Sequence, residues 1–185
     1  MFLVVCCFSR SAYLNSCSNF SRLVKLIKPS KSFLTKSRKN FTVANLLFKI
    51  SEQEDIRKLL NLASDFEMYD WVIIVSYYAM YTSALSALAK LGFKSKSHAA
   101  TIAVLERHYI PEKEEKKGKI LGQKDIHKLV KAHAMSEQLI IKLIKTKTKR
   151  ESAQYDATSS ITKEIAKTSL DDADEFITKV EEILG

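Results

Sequence analysis

The sequence predicts an all-α fold, an antiparallel bundle of four to five helices. Three observations predict it. Apolar residues recur at steps of three and four through several long segments, the period of a helix face. No stretch alternates apolar and polar residues, and no hairpin signal appears. Residues 69–91 run without Pro or Gly and are apolar on nearly every side. Such a helix belongs at the centre of a bundle, or is shared between a bundle and a second copy.

That central segment sets the frame. Trp71, Ile74, Tyr78, Tyr81, Leu85 and Leu88 follow one helical face, and Val72, Val75, Ala79 and Met80 fill others. Ala79, Ser83, Ala84, Ser86 and Ala87 are small and allow neighbouring helices to approach closely. The segment is long enough to cross a bilayer. However, Tyr77, Tyr78 and Tyr81 place hydroxyls mid-segment, and Asp70 and Lys90 bracket it tightly, so no stable membrane insertion is expected. Gly92 supplies a helix stop, and Ser97 an N-cap for the next helix.

The charge is unevenly placed. The chain of 185 residues has a net charge of +9, yet residues 1–50 hold nine Lys or Arg and no acid, while the rest holds 21 of each sign. The basic character therefore belongs to the N-terminal stretch. Residues 1–39 are rich in Ser, Lys and Arg and are read as a basic, poorly structured extension, with an organellar transit peptide as the alternative; a secretory signal fits poorly, since no charged region precedes the short apolar run. Residues 40–185 form the predicted domain. Cys6, Cys7 and Cys17 all lie in the extension, so the domain has neither a disulfide framework nor a cysteine metal site. This usage fits a reducing compartment, and a cytoplasmic location is expected.

The remaining elements follow in order. Asn40 to Ala63 reads as helical through Leu46, Leu47, Ile50, Ile56, Leu59, Leu60 and Leu62, with a break near Ser51 where Ser51-x-x-Glu54 has the form of a capping box. A third helix runs from about Ser97 to Tyr109 with Ile102, Leu105 and Tyr109 inward, and Pro111 ends it. Residues 111–122 are charged, contain Gly118 and Gly122, and read as an exposed loop. A fourth helix spans about Lys124 to Arg150, with Ile126, Leu129, Val130, Ile140, Leu143 and Ile144 toward the core. Tyr155 to Ser160 is a polar loop. A last helix begins near Ser160, its apolar stripe being Ala166, Ser169, Ala173, Phe176, Ile177, Val180 and Leu184.

Most familiar chemistries are missing. No His pair has zinc spacing, HExxH is absent, and there is no Gly-rich nucleotide loop or GxSxG. No metal and no cofactor is expected. His133 shares a face with Ile126 and Ile140 and reads as a core-edge histidine; His127 reads as surface. His108 ends the third helix, and His98 sits beside a cap. Lys142, Lys145, Lys147 and Lys149 lead into Arg150 without an acid among them, and Lys142, Lys145 and Lys149 share a face. Such a run either contacts RNA phosphates or is a solvated helix end whose cations oppose the helix dipole.

Five segments stand out: Tyr69-Asp-Trp, Ser76-Tyr-Tyr-Ala-Met-Tyr81, Leu91-Gly-Phe-Lys-Ser-Lys-Ser-His98, Arg150-x-x-Ala153-x-Tyr155 and Ala173-x-x-Phe176-Ile177. In these the chain resembles the HEPN domains, most closely the small stand-alone prokaryotic members. The likeness covers roughly residues 40–185. The resemblance implies a bundle that dimerises with a cleft between protomers, and it makes Trp71, Tyr77, Tyr78 and Tyr81 dimer or core residues. Active HEPN ribonucleases place an Arg, four to six residues, then a His in that cleft. They cut RNA without metal, and many are toxins opposed by a minimal nucleotidyltransferase antitoxin.

Here the pattern departs at one decisive place. Arg150 matches the Arg, but Tyr155 stands where the His belongs. A phenol is ionised only about one part in a thousand at neutral pH and is a weak general base. The position two residues beyond, where the family's antitoxins can modify a tyrosine, is Ala157. The sequence thus implies a dimeric RNA- or nucleotide-binding accessory component of a toxin–antitoxin or defence-type system with a degenerate motif. One alternative is an active metal-independent endoribonuclease using Arg150 and Tyr155 with another base, His98 being a remote candidate. The other is a purely structural dimerising module.

Overall fold

The structure, a computed structural model, describes residues 20–110, 135–156 and 161–185, with side chains from residue 29 onward. The described residues form six helices: α1 (Phe20–Glu52), α2 (Glu54–Leu59), α3 (Tyr69–Lys90), α4 (His98–Tyr109), α5 (Glu137–Tyr155) and α6 (Lys163–Leu184). There is no strand among them, and the fold is all-α as expected.

Four long helices make the bundle. Ser30 and Ser37 of α1 meet Ser86 and Ala79 of α3, so these two helices run antiparallel. Lys142 and Lys149 of α5 reach Asp172 and Ser169 of α6, again antiparallel. Tyr69, Val72 and Ile73 at the start of α3 pack near Ala166 at the start of α6, so α3 and α6 run parallel. The core between them is built from Tyr77, Met80 and Leu88 of α3, Leu105 of α4, Ile140 and Leu143 of α5, and Phe176, Val180 and Ile183 of α6, all almost fully buried. The side chains of α3 are covered along most of its length, which is why its sequence shows no single stripe.

The ends of these helices are fixed locally. The Gly92 N–H donates to the Ala89 carbonyl and the Phe93 N–H to the Leu88 carbonyl, each at 3.0 Å, with Gly92 at φ 83°. This is the left-handed closure that favours Gly. Ser97 caps α4 by accepting from the Ala100 N–H at 3.1 Å, as its sequence position predicts. Lys90 Nζ donates to the Ile183 and Leu184 carbonyls, satisfying two groups left open at the end of α6.

Several expectations are corrected. Helix α1 passes without interruption through the predicted boundary at residues 39 and 40. Residues 20–39 are helical, and from Ser30 onward they belong to the bundle: Ser37 is fully buried and donates to the Ala79 carbonyl at 2.8 Å, and Ser30 and Ser86 bond to each other's backbone. Arg38 joins Glu181 and Asp174 of α6. Ser30 and Ser37, two of the serines that suggested a tail, are small residues that let α1 approach α3. The break after α1 falls at Gln53, but no capping box forms. Instead Ser51 Oγ donates to the Leu47 carbonyl and accepts from the Met68 N–H at 2.8 Å, tying the start of α3 to the end of α1. α2 has no buried residue, and Leu59 is 82 % exposed rather than apolar core.

The predicted fourth helix is interrupted. Ser136 has an extended backbone and caps α5 through the Leu139 N–H at 3.3 Å, so α5 begins at Glu137 and runs on to Tyr155. Met135 is buried and its N–H donates to the Tyr109 carbonyl. The predicted loop at 111–122 and Ile126, His127, Leu129, Val130 and His133 lie outside the described residues. Ile144 is partly exposed rather than core. The last helix starts at Lys163, capped by Thr162.

Candidate functional site

Arg150 projects inward from α5 toward α3. Its side chain is only 7 % exposed, an uncommon position for a guanidinium. Its Cζ lies 5.2 Å from the Tyr77 ring centre and 5.8 Å from that of Tyr78, close enough for cation–π attraction to both. Nη1 donates to Gln154 Oε1 at 3.0 Å, one helical turn on, while Nε is buried without a hydrogen-bond partner. Among the described residues it forms no salt bridge.

Tyr77 links this cation to a histidine. Its hydroxyl hydrogen-bonds Nδ1 of His98, the first residue of α4. The His98 ring packs 4.2 Å from that of Tyr81 and 5.4 Å from that of Tyr77, and Tyr77 and Tyr81 stack at 6.1 Å. Tyr77 is fully buried, His98 and Tyr81 are half-buried, and Tyr78 is exposed at the rim. The electrostatics follow from this packing. Burial pushes the Tyr77 phenol well above its ordinary range, with Arg150 opposing, so it stays a neutral hydroxyl at physiological pH. Burial lowers the His98 pKa, and the positive charges of Arg150 and Lys147 lower it further, with Glu151 opposing. His98 is thus held as a neutral imidazole beside a fixed cation.

The residues singled out from the sequence fare differently. Arg150, Tyr77, Tyr78 and Tyr81 come together. Tyr155 does not join them: it is 74 % exposed at the end of α5. Five residues along a helix turn a side chain by about 140° net from Arg150, which carries Tyr155 away from the inward face. Trp71 is 51 % exposed on α3, outside the core. The lysines do not make one basic array. Lys142 is held by Asp172 at 2.9 Å and Glu175 at 2.5 Å, contacts that raise its pKa, and Lys147 pairs with Glu151 at 2.8 Å. Lys149 reaches Ser169 at 3.5 Å, and it and exposed Lys145 border an apolar depression with Ile144 and Ile165. Gln154 was not singled out, although its i+4 spacing from Arg150 marks it as a neighbour on the same face.

No group of three metal-ligating side chains occurs among the described residues. There, α3 is the one helix long and apolar enough to cross a membrane, and 78 % of its apolar window is buried inside the bundle, as a core helix would be.

An all-α helical bundle is the fold class that the resemblance implied. A family model described as HEPN domain matches residues 44–183. The chain belongs to the HEPN family. No curated protein matches it.

Proposed function

We propose that this HEPN protein is an RNA- or nucleotide-binding accessory component of a toxin–antitoxin or defence-type system, dimeric and cytoplasmic, with a nuclease motif that lacks its His. The observation that carries this reading is Arg150. A buried guanidinium without a salt bridge among the described residues is costly unless an anion compensates it. Arg is suited to phosphate because it presents several donors in a planar fork. The tyrosines beside it offer faces on which a base can stack. Half-exposed Trp71 and the rim residue Tyr78 lie on the α3 side that a second protomer would cover, and a minimal nucleotidyltransferase is the partner that the family suggests.

A second reading, an active metal-independent endoribonuclease, is favoured by one specific observation: His98 lies beside Arg150 through Tyr77, although Tyr155 faces solvent. One experiment separates the readings. The full chain and Arg150→Ala are incubated with total RNA in EDTA at low and moderate salt, and both cleavage and binding are read. Salt-sensitive binding without cleavage, lost in the variant, supports the accessory reading. Cleavage that vanishes in the variant makes the protein a nuclease. Neither activity leaves a dimerising interaction module and overturns both.

A further inference from the structure

We propose that a phosphodiester of the bound RNA sits between Arg150 and His98, and that His98 takes up a proton as it binds. The inference rests on the RNA-binding reading and adds to it a second phosphate ligand, supplied by α4 rather than by the helix that carries Arg150.

The geometry assembles two donor side chains, Arg150 and His98, around Tyr77. Arg150 is more than nine-tenths buried, and its Nε has no partner. The Tyr77 ring lies beside the guanidinium, and its hydroxyl holds Nδ1 of His98. That contact fixes the imidazole, so Nε2 is the nitrogen left to meet a ligand. His98 also opens α4, whose capped N-terminus carries the positive end of a helix dipole.

The charges that act on His98 are mainly positive. Tyr77 and Tyr81 face it from α3. From α5, Arg150 and Lys147 act on it as cations, and among the described residues Glu151 is the opposing carboxylate. Glu151 is itself engaged with Lys147. In the free protein this balance keeps the imidazole neutral. A phosphodiester reverses it: its negative charge offsets Arg150 and makes the imidazolium favourable, with Nδ1–H donating to the Tyr77 hydroxyl oxygen and the newly protonated Nε2–H donating to a phosphate oxygen. The proton comes from solvent and stays on His98 while the phosphate is bound, so no bond of the RNA is made or broken. By linkage, affinity then rises as pH falls.

The test is the pH dependence of binding. Fluorescence anisotropy of a labelled ten-nucleotide RNA with the full chain, at fixed salt from pH 8 to pH 5, is expected to show affinity rising by up to about tenfold per pH unit, the limit for one proton. His98→Gln is expected to bind with little pH dependence. A parallel NMR titration of His98 in the wild-type protein, with and without inorganic phosphate, is expected to show its pKa raised by the anion. A slope that persists in His98→Gln, or a flat wild-type profile while Arg150→Ala still abolishes binding, overturns the inference. RNA binding absent at every pH removes the reading on which it rests. The phosphate titration then decides alone, a raised His98 pKa supporting the anion site and an unmoved one overturning it.

Discussion

Tyr77 and His98 stand 21 residues apart, yet the Tyr77 hydroxyl meets Nδ1 of the imidazole across the junction of α3 and α4. The same tyrosine ring lies 5.2 Å from the Arg150 guanidinium of a third helix. Tyr77 is therefore the joint of the site: its ring serves the cation and its hydroxyl serves the histidine.

Tyr77→Phe removes the hydroxyl and keeps the ring. The ring and its contact with Arg150 remain, while His98 Nδ1 loses its partner. Urea denaturation is expected to show a loss of about 0.5–1.5 kcal/mol, the usual worth of one such hydrogen bond.

The depressed pKa of His98 gives stability a pH dependence of known sign. In the unfolded chain a histidine titrates near about 6.5 and in the folded chain at a lower pH. Between those two values the unfolded state binds more protons, so stability falls as pH drops below about 6.5 and levels off below the folded pKa. Thermal melts of wild type and His98→Gln between pH 8 and pH 5 are expected to diverge over that window, with the variant losing less.

Arg150→Met is expected to leave the melting temperature unchanged or raised while abolishing RNA binding. Replacing a buried charge with an apolar side chain of similar length removes a desolvation cost. Opposite movements of stability and binding in the same variant would distinguish a ligand-binding arginine from one that merely packs.

Tyr155→Phe is expected to change neither RNA affinity nor stability beyond about 0.5 kcal/mol, because its ring is largely exposed at the end of α5. A large loss of RNA binding in this variant, read by the same anisotropy assay, would restore Tyr155 to the site.

Ser37→Leu is expected to cost about 1–3 kcal/mol in chemical denaturation, since α1 and α3 meet there with no room for a larger side chain. Ser37→Ala should cost less, losing the hydrogen bond but not the fit.

The helices were legible wherever local chemistry encodes them. Ser97 announces the start of α4 and Gly92 the end of α3, because caps act within a turn of themselves. The apolar breadth of α3 marked its central place. The role of residues 30–39 was not legible, since a serine that caps, a serine in a tail and a serine at a helix crossing look alike until the partner helix is present. The exposure of Tyr155 was not legible for a related reason: sequence spacing names the motif position but not the direction in which a helix turns the side chain. The pairing of Tyr77 with His98 depends on how α4 folds back on α3, a relation that no short spacing records.

Trp71 is the chain's one tryptophan, and it stands half in water on the outer side of α3. The protein therefore carries a native optical reporter. Indole emission shifts with the polarity of its surroundings, so an unlabelled sample reads out this single surface point. A blue shift with rising protein concentration would register a second copy closing over α3, while an unchanged spectrum on adding RNA would place the nucleic acid elsewhere.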